Sequence, residues 1–133
     1  MHEIQEIPPA KKPKILFVDD EEALMLTYKT VLERTKNYEV TGTTSSVKAR
    51  ELLKATAYDL LITDITMPIV SGHELAALAK AQNRATKVVG ISGYLTPGDG
   101  PNKFDRFVSK PVGVAQFLSV VAEVLHPPEK PVL

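Results

Sequence analysis

Residues 60–68, LLITDITMP, decide how the fold of this chain is read. Residues 60–63 form a short run rich in branched apolar side chains, which is typical of a strand buried on both faces of a parallel sheet. Asp64 follows where this strand ends. Because ligands bind at the carboxyl ends of strands in open parallel sheets, Asp64 is a candidate for chemistry. A single aspartate after a strand often only caps a turn, so its neighbours in the fold must decide between the two interpretations.

Similar apolar runs and the amphipathic segments between them predict the order of the elements. Strands that alternate with helices favour an α/β fold, in which right-handed crossovers build a parallel sheet with helices on both faces. Five such strands fit the doubly wound order 2-1-3-4-5, with a switch point between the first and third strands. The predicted strands cover residues 14–18, 37–43, 60–63, 86–91 and 106–109. The predicted helices cover residues 21–35, 72–82 and 113–125, and a further helix runs to about residue 55 after a cap at Ser45 or Ser46.

The segment between the fourth and fifth strands breaks this regular alternation. Residues 93–102, GYLTPGDGPN, contain two prolines and three glycines, so the fourth helix of the pattern is expected to be short or missing. Residues 1–13 are rich in proline and charge without any period, which predicts a flexible arm or linker. We expect residues 14–125 to form the folded domain and residues 126–133 to form a flexible tail.

Composition limits the function classes. A chain of 133 residues, with 44% hydrophobic and 24% charged residues, fits one globular domain with its own core. Its 16 basic and 16 acidic residues cancel, which argues against direct binding to nucleic acid or to an anionic membrane. Cysteine is absent, which excludes disulfides and thiolate chemistry and suits the reducing cytoplasm. No apolar run approaches the roughly 20 residues that span a bilayer.

Polar side chains follow the strands of this predicted sheet at the edge where the strands end. Asp19 and Asp20 come directly after the first strand, and Ser92 and Lys110 come after the fourth and fifth. At the switch point the three acids, Asp64 included, converge and repel one another. Mg²⁺ relieves such repulsion, binds carboxylate oxygens and keeps places for phosphate oxygens. The serine hydroxyl and the lysine ammonium suit the oxygens of a phosphoryl group on Asp64.

Taken together, these motifs resemble the receiver domain of bacterial two-component response regulators. The matching motifs are VDDEE at 18–22, DITMP at 64–68 with Gly72 behind it, ISG at 91–93 and SKP at 109–111. They follow one another in order through residues 14–125, which is nearly the whole chain. The resemblance implies a flavodoxin-like fold and a receiver domain over that range.

The resemblance also implies roles for the acids. Asp64 is expected to be the phosphoacceptor, which takes a phosphoryl group from a kinase histidine in the presence of Mg²⁺. Asp20 is expected to coordinate the ion directly, together with Asp64 and the main-chain carbonyl of Thr66. Asp19 is expected to act on the ion mainly through water.

Three further residues receive roles from the same resemblance. Lys110 is expected to neutralise the acyl phosphate, with a Lys110–Pro111 peptide bond that is often cis in this family. Ser92 is expected to move toward the phosphoryl group. Phe107 takes the place of the aromatic switch residue, which turns inward when Ser92 moves. An ordinary core phenylalanine is an equally good interpretation of Phe107.

The expected function is therefore a signalling switch that catalyses no reaction beyond its own phosphorylation and dephosphorylation. The implied partners are a sensor histidine kinase or a histidine phosphotransfer protein, a downstream protein, and a second copy in a phosphorylation-dependent homodimer. The altered segment after Ser92 keeps open a receiver-like interaction module that works without phosphorylation. A hydrolase of external phosphates is a third hypothesis. Eight residues after position 125 leave no output domain, so we expect either a stand-alone protein or the receiver of a larger one, such as a hybrid kinase.

Overall fold

The computed structural model describes residues 12–93 and 104–126 of the chain. In these two ranges the chain forms five strands and four helices. They are β1 Lys14–Val18, α1 Glu22–Arg34, β2 Glu39–Thr43, α2 Ser46–Ala55, β3 Leu60–Asp64, α3 Gly72–Gln82, β4 Lys87–Ser92, β5 Arg106–Ser109 and α4 Val114–Leu125. Most of the predicted arm and tail, and the predicted short or missing helix after Ser92, lie outside the described residues. No helix within the described ranges has the length and apolar character needed to cross a membrane.

The five strands form one parallel sheet in the order β2-β1-β3-β4-β5, which confirms the predicted topology. The first strand, β1, lies inside the sheet; the chain then passes to the edge strand β2 and returns past β1 to β3. Val18 at the end of β1 lies opposite Thr63 near the end of β3. The switch point therefore brings together the segments that follow these two strands, as the sequence predicts.

Alternation along the strands divides the core between the two faces of the sheet. Ile15 and Phe17 pack on the face covered by α1 and α4, and Leu16 and Val18 pack on the face covered by α2 and α3. All four side chains are fully buried. A strand covered on both faces needs apolar residues at every position, which explains the continuous apolar runs of β1 and β3.

The helix ends explain small shifts from the predicted boundaries. Ser45, one of two predicted caps, accepts a hydrogen bond from the Lys48 amide at 3.1 Å, so α2 begins at its neighbour Ser46. At the end of α1, Lys36 takes a left-handed conformation with φ of 61°, which turns the chain toward the sheet. Strand β2 consequently begins at Glu39, two residues later than predicted.

Candidate functional site

The structure brings the predicted acids to one place at the carboxyl edge of the sheet. Asp19 follows β1, and Asp64 is the last residue of β3. Carboxylate oxygens of Asp19, Asp20 and Asp64 all lie within 4.8 Å of one another. Asp64 also accepts a 3.3 Å hydrogen bond from the Thr66 amide, so it caps the turn as well as facing the other acids. The turn-cap interpretation is confirmed for this residue, and its role in a site stays a prediction.

The three acids differ in their exposure to solvent. Asp19 and Asp64 are buried, with 1% and 7% of their surface exposed, whereas Asp20 is exposed. Asp19 is fixed from two sides, because its Oδ1 accepts a hydrogen bond from the Glu21 amide at 2.9 Å and its own amide donates to the Thr43 carbonyl at 3.3 Å. The site therefore has two buried, held carboxylates and a third at the solvent boundary.

Lys110 reaches these acids from the end of β5. Its Nζ lies 3.1 Å from Asp64 Oδ2, 3.2 Å from Asp19 Oδ2 and 3.3 Å from Glu21 Oε1. Its amide donates to the Ser92 carbonyl at 2.9 Å, which continues the pairing of β5 with β4. The Lys110–Pro111 peptide bond is cis, as the resemblance implies. The backbone at the end of β5 thus places the Lys110 ammonium among the acids of the site.

The surroundings shift the pKa values of two of these groups. Burial alone would lower the pKa of Lys110, but hydrogen bonds and charges from Asp64 and Asp19 outweigh burial and raise that pKa above its usual range. Partial burial raises the pKa of Asp20, and the neighbouring Asp64 carboxylate raises it further. Lys110 therefore stays charged in the folded protein, while Asp20 gives up its proton less readily than an ordinary aspartate.

This donor set fits a small divalent cation. Within the described part of the chain, Lys110 forms ion pairs with Asp19, Asp64 and Glu21, so negative charge is in excess when all the groups are ionised. Magnesium binds oxygen at about 2.1 Å, so ligands on opposite sides of the ion lie about 4.2 Å apart. Oxygens that already lie within 4.8 Å of one another need small side-chain rotations to reach that span. Asp20, at the solvent boundary, leaves room for the waters that this ion keeps.

The loop after Asp64 is held close to the strand end. The Gly72 amide donates to the Ile65 carbonyl at 2.9 Å, and a Cβ on Gly72 would clash with the main-chain oxygen of Asp64. Glycine is therefore needed at this position, which explains why Gly72 belongs to the sequence motif. Thr66 is exposed between these anchors. The metal-binding role of its main-chain carbonyl stays a prediction.

The two predicted switch residues lie on neighbouring strands. Ser92 ends β4, is 3% exposed and lies opposite Ser109 in the sheet. Phe107 is partly buried on β5, and its ring contacts the Phe104 ring with centroids 4.7 Å apart. Phe107 thus lies partly in the core and partly at the surface, which fits both interpretations of this residue. The movements assigned to Ser92 and Phe107 stay predictions.

Two residues near the site were missed in the sequence. Phe104 is buried over Gly90, where a Cβ would lie 2.9 Å from its ring carbons. The signal was available, because a glycine inside a buried strand often marks the close approach of another group. Glu21 lies within the VDDEE motif and receives no role of its own from the sequence, yet it forms an ion pair with Lys110. The sequence carries no signal for that contact, which depends on the reach of two long side chains.

Comparison with known proteins agrees with this geometry. A family model for the response regulator receiver domain matches residues 15–122. The chain is 26% identical over 117 residues to the polar-differentiation response regulator DivK of Brucella ovis, an alignment that covers 84% of this chain and 94% of that protein. The receiver domain of the hybrid histidine kinase CckA is 30% identical, with a TM-score of 0.73 and coverage of 85% of this chain and 99% of that one. The receiver domain of the sensor histidine kinase PA1611 from Pseudomonas aeruginosa PAO1, which has a magnesium ion in its active site cleft, is 20% identical, with a TM-score of 0.73 and coverage of 86% and 98%.

Proposed function

The chain belongs to the response regulator receiver domain family, and from that premise we propose that it is a signalling switch phosphorylated on Asp64. The phosphoryl donor is a histidine of a sensor kinase or of a histidine phosphotransfer protein. One observation carries the proposal: the Lys110 ammonium lies 3.1 Å from the Asp64 carboxylate, beside Asp19 and Asp20. A carboxylate placed at the carboxyl edge of a parallel sheet between a cation and two further acids suits phosphoryl transfer.

In the transfer step, an oxygen of the Asp64 carboxylate forms a bond to phosphorus as the bond from phosphorus to the donor nitrogen breaks. The bonding electron pair returns to the imidazole of the donor, which takes up a proton from water. Because Asp64 is 7% exposed and held by its neighbours, its attacking oxygen needs little reorganisation. Hydrolysis later returns the carboxylate and releases inorganic phosphate.

The other residues of the site support this step through charge. Lys110 neutralises the negative charge that builds up on the phosphoryl oxygens, and its raised pKa keeps the ammonium protonated. Asp19 and Asp20 would hold Mg²⁺ together with Asp64 and the Thr66 carbonyl. The ion supplies charge neutralisation for the phosphoryl oxygens when it is bound.

The output of the site is a change of shape. A phosphoryl group on Asp64 offers new acceptor oxygens to the Ser92 hydroxyl, and Phe107 on the neighbouring strand responds to its movement. A downstream protein reads the difference between the two shapes, and a second copy of the chain is one such reader. The protein turns over no external substrate; it transfers the phosphoryl group to itself and loses it to water.

Intact-mass measurement during incubation with acetyl phosphate and MgCl₂ tests the proposal. The wild type is expected to gain one phosphoryl group, and Asp64→Asn is expected to gain none. Asp59→Asn is the matched control, because Asp59 flanks the same strand at its opposite end. There its carboxylate accepts a hydrogen bond from the Lys14 amide at 2.7 Å. This control should gain the group as the wild type does. A wild type without added mass, or an Asp64→Asn variant that still gains it, would contradict the proposal.

A further inference from the structure

Glu21 occupies the N-cap position of α1 without acting as a cap. Its side chain makes no capping hydrogen bond, and its amide donates to Asp19 Oδ1 instead. Glutamate is a poor choice for this position, where aspartate, asparagine, serine and threonine are preferred. The carboxylate of Glu21 instead lies 3.3 Å from Lys110 Nζ. The Glu21 side chain therefore contacts the lysine and caps no amide of the helix.

The contact is significant because Lys110 and a divalent cation compete for the same oxygens. Lys110 Nζ lies 3.2 Å from Asp19 Oδ2 and 3.1 Å from Asp64 Oδ2, and both acids belong to the predicted metal site. A cation that enters between the acids repels the ammonium and takes over part of its partners. The ammonium has to move away from Asp19, and it does so at low cost if another carboxylate is already beside it.

We infer that Glu21 is a positioning residue: it offers Lys110 a carboxylate at the solvent side of the site, and thereby lets the ammonium leave Asp19 when a divalent cation binds. The inference rests on the proposed Mg²⁺-dependent function and adds to it a residue outside the metal-binding acids. Without Glu21, the ammonium stays closer to Asp19 and Asp64 and competes more strongly with the ion. The affinity for Mg²⁺ then falls.

The exposure of Glu21 to solvent sets the expected size of its effect on Mg²⁺ affinity. The Glu21 side chain is 62% exposed, and ion pairs of exposed groups are weak because water and salt screen them. Loss of the pair should weaken Mg²⁺ binding about two- to fivefold. The difference should shrink as KCl is added, because screening grows with ionic strength.

Three variants of the full chain separate the contact from the general effect of charge. Glu21→Gln removes both the charge and the ion pair. Glu22→Gln is the matched control, since Glu22 is the next residue, is also exposed, and makes no ion pair with any described residue. Glu21→Asp keeps the charge but shortens the side chain by one methylene, so it stops short of Lys110. As aspartate is a good N-cap, this variant is expected to fold.

Titration with MgCl₂ at pH 7, followed by the amide signals of the acidic loops in NMR spectra, measures the dissociation constant of each protein. Glu21→Gln and Glu21→Asp should both bind about two- to fivefold more weakly than Glu22→Gln. Equal affinity of Glu21→Gln and Glu22→Gln, or wild-type affinity in Glu21→Asp, would overturn the inference. A wild type that does not bind Mg²⁺ would instead contradict the proposed function, so the two failures can be told apart.

Discussion

The two ends of the parallel sheet both carry charged residues, but they use them differently. At the amino end, acids are paired with donors that belong to the framework of the fold. At the carboxyl end, four acids lie around one lysine within the described residues. In the first arrangement, hydrogen bonds and ion pairs of the fold compensate the carboxylates. In the second, negative charge is left over and can attract a cation. Under the proposed function, the acids of the first arrangement serve stability and those of the second serve phosphoryl transfer.

Asp105 shows the arrangement at the amino end. Its Oδ2 accepts hydrogen bonds from the Val88 amide at 2.7 Å and from Lys80 Nζ at 2.9 Å. Its amide donates to the Val88 carbonyl at 2.7 Å. The same side chain thus joins the start of β5 to the start of β4 and to α3. This carboxylate therefore uses one of its oxygens to hold elements of the fold together.

The arrangement of charges at the carboxyl end of the sheet is electrostatically unfavourable. Two buried carboxylates, Asp19 and Asp64, compete for one ammonium, and Asp20 adds a third negative charge beside them. Sites of this kind are less stable than they could be, because function needs charges that the fold does not satisfy. The comparison therefore makes opposite predictions for substitutions at the two ends.

The largest expected effect is the loss of the shared lysine. Lys110→Met should slow phosphorylation by acetyl phosphate about 100-fold, because the cation that faces the developing negative charge is removed. Lys80→Met, at the amino end, removes a lysine that bonds to Asp105 and should leave this rate nearly unchanged. Time courses of intact mass measure both rates. Equal phosphorylation rates in the two variants would contradict the functional difference between the two ends of the sheet.

A smaller effect is expected for the acid at the amino end. Asp105→Ala should lower the free energy of unfolding by about 1–3 kcal/mol, because the partly buried Val88 amide loses its acceptor. Asp105→Asn keeps an acceptor oxygen and should lose less. Urea unfolding followed by circular dichroism measures both. Phosphorylation of the folded protein should be unaffected in either variant, and a strong loss of phosphorylation would show that this acid belongs to the site.

The smallest effect, and one of opposite sign, is expected for Asp20→Asn. The raised pKa means that the folded state disfavours the ionised carboxylate. In EDTA at pH 7 the variant should therefore be slightly more stable than the wild type, by at most about 0.5 kcal/mol because the group is exposed. The gain should vanish below pH 3.8, the ordinary pKa of aspartate, where Asp20 is protonated in both folded and unfolded states.

MgCl₂ should reverse this order of stability, because the ion binds the folded wild type and stabilises it. Urea midpoints measured in EDTA and in MgCl₂ test both signs. A variant that is less stable than the wild type in EDTA would show that Asp20 is satisfied by the fold, as the acids at the amino end are.

Most of the fold was predictable from the sequence because the central strands are buried on both faces. Continuous apolar runs such as residues 15–18 and 60–62 leave few alternatives to a parallel sheet, and the acids that follow them mark its carboxyl edge. The strand ends alone therefore predicted that Asp19, Asp64 and Lys110 would meet. Boundaries shifted by one or two residues where a cap or a left-handed residue ends an element.

The parts that could not be predicted depend on side-chain reach and on packing across elements. The contact between Glu21 and Lys110 joins residues 89 positions apart in the sequence, and no local pattern indicates it. Phe104 lies outside every predicted element, and its burial depends on the space that Gly90 leaves free. The buried Ser46 hydroxyl donates to the Pro68 carbonyl at 2.8 Å, whereas the sequence indicated a helix cap at either Ser45 or Ser46.

Paramagnetic broadening by Mn²⁺ tests the central claim most directly, because Mn²⁺ takes oxygen ligands as Mg²⁺ does and broadens the NMR signals of nearby amides. At low Mn²⁺ concentration the amide signals of Asp19, Asp20 and Thr66 should disappear first and return when MgCl₂ is added in excess. Those of Asp59 and Asp105 should persist. Broadening that is strongest at Asp59 or Asp105, or equal at both ends of the sheet, would contradict the account.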